Sequence, residues 1–239
     1  MAIKFMYDLK MKIEGLKRGE IPDTFPDLEK EFFAMYSSKD RYSYEDRVYT
    51  FQAREEYTTR CGFAIISKEW VQPLAKFIGK DKCLEIMAGT GLLSKALKDE
   101  GIDVICTDNL SWEGCKPDWS NHFTEIENLD CVKAIEKYGK DVKYIIMSWA
   151  PYQGEESLLA YRKMKEVNPD AVMIYIGEYQ GGCTACDEFF LNTISSFDDI
   201  KFGNEESPNF SSDIIDITRE LNNKFTSFLS IHDRIHFIK

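Results

Sequence analysis

The apolar positions of this chain change period along its length. Ile3, Met6, Leu9, Ile13 and Leu16 recur at helical spacing with lysines between them, which predicts an amphipathic helix. Ile21-Pro22-Asp23 and Phe25-Pro26-Asp27 are turn signals. Leu28, Phe32, Phe33 and Tyr36 predict a second short helix. Ser43, with Asp46 three residues on, opens a third in the manner of a capping box, with Val48 and Phe51 on its apolar face. The stretch from Tyr57 to Ile66 then leads into a region of different character.

From residue 66 onward, short continuous apolar runs alternate with helical periods, the pattern of buried parallel strands joined by helices. Ser67 is a candidate cap for a helix with Val71, Leu74, Ala75 and Ile78 on its buried face and Gly79 at its end, though Pro73 demands a kink or a start near Gln72. Predicted strands are Cys83–Ile86, Asp103–Thr107, Phe123–Ile126, Val142–Ser148 and Ala171–Gly177. Helices are expected after the first, from about Asp130 to Gly139, through Leu158, Leu159 and Met164, from Asp187 to about Ser196, and from Ser212 to about Leu221. Residues 198–212 are polar and carry no clear period. Phe225–Ile231 and Ile235–Ile238 alternate as a hairpin would, with Asp233 and Arg234 as turn residues and a pocket role for them as the lesser alternative.

The chemistry concentrates where the first strand turns into its helix. Leu84-Glu85-Ile86-Met87-Ala88-Gly89-Thr90-Gly91 is an apolar run ending in a turn of small residues. Gly89 and Gly91 suit a tight bend that a ligand can approach, and the following helix aims its N–H groups at the turn. Asp108 follows about 20 residues later, at the end of the second predicted strand, where a nucleotide-binding fold accepts ribose hydroxyls. A dehydrogenase fingerprint would require a third glycine where Ser94 stands, and a phosphate loop would require Gly-Lys-Ser/Thr. A βα turn with no ligand is the plain alternative.

These residues resemble the cofactor motif of class I S-adenosylmethionine-dependent methyltransferases over roughly residues 66–180, with Met87 in place of a usual glycine. The resemblance implies a three-layer α/β sandwich with a Rossmann-like, mostly parallel, seven-stranded type of sheet and an antiparallel last strand. It implies S-adenosylmethionine as cofactor, with Glu85 supporting the turn, Ala88, Gly89 and Gly91 cradling the methionine part, and Asp108 holding the ribose. Asn109 and Ser148 join that expected cofactor set, as does Asn128, with Leu129, at the place where the family holds adenine. Trp112 or Trp119, on the loop after Asp108, is a candidate to pack on the adenine or simply to anchor the loop. Ser148-Trp149-Ala150-Pro151-Tyr152 partly resembles the Asn/Asp-Pro-Pro-Tyr motif of amino-group methyltransferases, with Trp149 in place of the polar residue. Trp149, Tyr152 and Glu178 are therefore the expected acceptor-side residues, Glu178 as a base or as a ligand for a cationic group.

Residues 1–65 read as an N-terminal helical cap on a domain of residues 66–239. The cap is rich in aromatics, among them Phe32, Phe33, Tyr36, Tyr49, Tyr57 and Phe63, and either packs on the core or lines the pocket. Arg60 is a candidate to meet a carboxylate or an ordinary surface residue. The chain has 239 residues and a net charge of −11, which disfavours broad nucleic-acid binding. The expected acceptor is a small molecule or a protein. A nucleic-acid amino group and a non-catalytic binding module are the alternatives, the latter favoured by Trp149. Seven scattered cysteines, no signal peptide and no membrane-length apolar run lead to the expectation of a reduced, cytoplasmic protein. Cys183-Thr184-Ala185-Cys186 is one isolated C-x-x-C, so no metal site is expected. Oligomeric state is not legible.

Overall fold

The computed structural model describes residues 11, 13–26, 44–112, 122–193, 210–228 and 231–239. The second expected helix (Leu28–Tyr36), Ile3, Met6, Leu9 and Trp119 lie outside them. Among the described residues, six strands form one sheet: β1 (Cys83–Ile86), β2 (Val104–Asp108), β3 (Glu127–Asn128), β4 (Tyr144–Ser148), β5 (Val172–Gly177) and β6 (Arg234–Ile238). Their order is β3-β2-β1-β4-β5-β6. Every pair is parallel except β5 with β6, which run antiparallel with Tyr175 opposite His236.

The helices are α1 (Tyr44–Arg60), α2 (Lys68–Ile78), α3 (Leu92–Asp99), α4 (Cys131–Tyr138), α5 (Glu156–Val167) and α6 (Ser212–Lys224), with a further helical stretch at 187–193. Alternate strand residues face opposite sides, so the sheet is buried twice. Ile146, Ile174 and Ile176 pack with α2, α3 and α6 on one face. Ile145, Met147 and Met173 pack with α4 and α5 on the other. This is a three-layer α/β sandwich. Ile13, Phe25, Ala53 and Tyr57 belong to the same apolar cluster as α2. No helix among the described residues is long and apolar enough to cross a membrane.

Several elements differ from expectation. The third strand is only Glu127–Asn128, not Phe123–Ile126. Phe123 and Thr124 pack against Gly19 and Gly91, where an added Cβ would come within 2.8 Å and 3.0 Å of them, so this segment seals the start of α3. Residues 225–228 form no strand, and Asp233 is buried rather than turning in solvent, so the hairpin is reduced to its second arm. Helix α1 absorbs Tyr57–Arg60, and Phe51 is exposed on it. Helix α2 starts at Lys68 despite Pro73, and Ser67 makes no side-chain cap. The carbonyls of Pro22 and Asp23 accept from the Lys68 and Glu69 N–H groups in its place.

Candidate functional site

Strand β1 has β2 on one side and β4 on the other. The chain winds outward one way through β2 and β3, then returns to build β4 and β5. The carboxyl ends of β1, β2 and β4 diverge at this switch point, where an open α/β sheet leaves a crevice. A cavity of about 410 Å³ lies there, walled by the turn after β1, by Asp108 and Trp112, by Ser148, Trp149 and Pro151, and by the Cys61–Ala64 connector.

The turn is held from both sides. Ala88 N–H donates to the Thr107 carbonyl at 3.1 Å, and Gly89 N–H to Asp108 Oδ2 at 2.8 Å. Thr90 Oγ1 donates to the Cys61 carbonyl at 2.7 Å, which fastens the connector across the turn. Gly89 has φ +56° and open space where a side chain would stand. Met87 adopts φ +52°, a left-handed conformation that costs a non-glycine residue about 1–2 kcal/mol. A Cβ at Gly91 would meet Thr124 at 3.0 Å and Ile126 at 3.2 Å, so its bareness also makes room for the packed 123–126 segment.

Glu85 supports the turn from beneath. Its side chain is buried and accepts from Ser94 Oγ on α3. Burial pushes its carboxyl up to about 7. Asp108 is also buried, and three donors of the chain converge on it. Oδ2 takes the Gly89 N–H, while Oδ1 takes the Leu110 N–H at 2.7 Å and the Trp112 indole N–H at 2.8 Å. Burial raises the carboxyl, and these three hydrogen bonds partly offset the rise. Each carboxylate oxygen accepts about two hydrogen bonds, so Oδ2 keeps one acceptor site.

Asn109 is exposed at the rim and turns its Oδ1 to the Ser111 N–H. Asn128 is exposed at the end of β3, and the nearby wall is formed by Asp130 and Cys131. Asp130 caps α4 by accepting the Lys133 N–H at 2.9 Å, and that hydrogen bond holds its carboxyl below the usual range.

On the acceptor side, Ser148 and Trp149 line the cavity. Trp149 is left-handed, with φ +53°. Its indole N–H donates to Asp233 Oδ2 at 2.9 Å, and its ring stacks on Phe63 at 5.4 Å and 14°. Tyr152 is 48% exposed and stands outside the cavity wall, which is continued by its neighbour Pro151. Glu178 is also outside it. Its Oε2 accepts the Cys183 N–H at 2.7 Å and its Oε1 the His232 N–H at 2.9 Å, so it staples two loops. Burial raises that carboxyl, but the donors from Cys183 and His232 together outweigh it and leave it below the usual range. Arg60 donates to Glu56 and to the Glu14 carbonyl. Among the described residues, no three His, Cys, Asp or Glu side chains come together as metal ligands.

Glu85, Asp108, Asp130 and Glu156 line the cavity, and no Lys, Arg or His among the described residues does. Asp130 and Glu156 were not foreseen as parts of the site. Asp233, expected first as a turn residue and only second in a pocket role, is 84 residues from Trp149 in sequence and holds its indole N–H.

No family model matches the chain, and no curated protein matches it. Among solved structures, it is similar to magnesium protoporphyrin IX methyltransferase from Synechocystis PCC 6803 with bound SAH, at 12% identity and a TM-score of 0.35, over 88% of this chain and 93% of that one. The function proposed below is carried by the cavity and not by that likeness.

Proposed function

We propose that this protein binds S-adenosylmethionine in the switch-point cavity and transfers its methyl group to a small-molecule or protein acceptor. One observation carries the reading: among the described residues, four acids and no base line a cavity at the ends of β1, β2 and β4. Such a lining favours a cationic ligand and repels polyanions. The residues present fit an adenosyl sulfonium. Asp108 Oδ2 has one acceptor site left for a ribose hydroxyl, and Gly89 leaves the approach open. The volume is near the low end of the roughly 300–1,000 Å³ usual for small-ligand sites, enough for one nucleoside-sized molecule.

When bound, the sulfonium supplies an electrophilic methyl group, so alignment of the acceptor carries much of the rate. The chain's own part is to position and to exclude water. Trp149, Phe63 and Pro151 form an apolar wall, and Ser148 offers a side-chain acceptor at the end of β4. With Trp149 tied to Asp233, no carboxylate or amide stands where an amino-group methyltransferase would align its nitrogen. That observation favours a second reading, a module that binds the cofactor without turnover.

Calorimetric titration with S-adenosylhomocysteine tests the shared premise. Wild type is expected to bind, and Asp108→Asn to bind about tenfold or more weakly, since it loses a charge-assisted acceptor. No heat with wild type sinks both readings. A screen of labelled methyl transfer to acceptors of different class then separates enzyme from binding module.

A further inference from the structure

Arg54, on α1, does not itself line this cavity but lies over Trp149, one of its walls, and has no acidic partner among the described residues. Its guanidinium carbon lies 5.7 Å from the centre of the Trp149 ring, and its Nε is buried with no hydrogen-bond acceptor. Arg60, on the same helix, is engaged with Glu56. The acids at this end are turned elsewhere. Glu178 accepts two backbone N–H groups, and Asp233 Oδ2 holds the Trp149 indole. Asp233 Oδ1 is likewise buried and unpartnered. Both unsatisfied atoms thus belong to side chains that touch Trp149, one of the cavity's walls. A buried polar group without a partner is uncommon and calls for one, a water or a ligand group.

We propose that Arg54 receives a small-molecule carboxylate at the Trp149 side of the cavity. A guanidinium presents a planar fork that matches a carboxylate with two parallel hydrogen bonds. A single guanidinium beside four lining acids suits a monoanion, because a doubly charged phosphate would meet net repulsion. Two molecules could bring that carboxylate: the amino-acid tail of the cofactor, in which case the inference rests on the function proposed above, or the methyl acceptor.

The test is calorimetry on wild type, Arg54→Met and Arg54→Lys. The probes are S-adenosylhomocysteine, methylthioadenosine (which lacks the amino-acid tail), and benzoate against benzamide, each added both to the protein alone and to protein with methylthioadenosine in excess. If the cofactor's tail is the ligand, Arg54→Met weakens S-adenosylhomocysteine about tenfold or more and leaves methylthioadenosine within about twofold. If the acceptor is the source, S-adenosylhomocysteine is unchanged, and benzoate binds wild type, fails with Arg54→Met and outcompetes benzamide. Arg54→Lys keeps part of the effect in either case and shows that the fold survives. The inference is overturned if Arg54→Met changes none of these, or weakens both adenosyl probes alike. Wild type that ignores adenosyl probes but binds benzoate through Arg54 overturns the function and leaves the carboxylate site standing. Wild type that binds none of the probes overturns both.

Discussion

Glu85 and Asp108 are two buried acids that meet one turn, yet the chain treats them differently. Asp108 has three donors and Glu85 has Ser94 Oγ, and the Glu85 carboxyl is raised to about 7 by burial. The sign follows from linkage. A folded-state value above the unfolded one stabilises below the unfolded value and loses that stabilisation as pH rises through the folded value. Glu85 therefore weakens the fold progressively between about pH 4.5 and 7. Glu85→Gln keeps the Ser94 contact and removes that slope. Thermal melts should show the variant gaining on wild type across the window, by up to about 3 kcal/mol at the top; parallel curves would refute this. Met87 and Trp149, both left-handed, are the strained residues of the same wall.

Among the elements, α2 shows how tertiary context overrides a local signal. Ser67 occupies the cap position with extended backbone, but its hydroxyl makes no cap, because the Pro22–Asp23 segment delivers two carbonyls to the first turn. With those donors satisfied, the helix begins before Pro73 and tolerates it inside. Pro73 still lacks the N–H that would bond the Glu69 carbonyl. Pro73→Ala should raise stability by about 1–2 kcal/mol, the restored bond exceeding the entropy that proline removes from the unfolded chain. A urea midpoint that falls would contradict it. Strand β3 was missed because Phe123, Thr124 and Ile126 look like a strand, and only the bare Gly19 and Gly91 surfaces reveal what they cover.

At the scale of the whole molecule, the antiparallel β6 closes one end of the sheet, and its far edge is covered by one side chain. Asn222 on α6 donates to the Ile235 carbonyl at 2.8 Å and accepts the Ile235 N–H at 2.9 Å, taking the place of a neighbouring strand. Asn222→Ala should cost about 1–3 kcal/mol by leaving both groups of Ile235 unpaired, and it should increase self-association through the opened edge. Denaturant unfolding and light scattering check the two effects separately.

The amino-acid sequence by itself determined the alternation of buried strands and helices, the small-residue turn at Met87–Gly91 and the acid at the end of β2. Each is a local pattern, written in residues close together along the chain. Only the tertiary structure decided which acids face the cavity. It set Glu178 to stapling Cys183 to His232, kept Tyr152 outside the cavity wall, and placed Asp233 beneath Trp149 with Arg54 over its ring. Those pairings join residues tens of positions apart, and packing selects them after the sheet has formed, so no periodicity announces them.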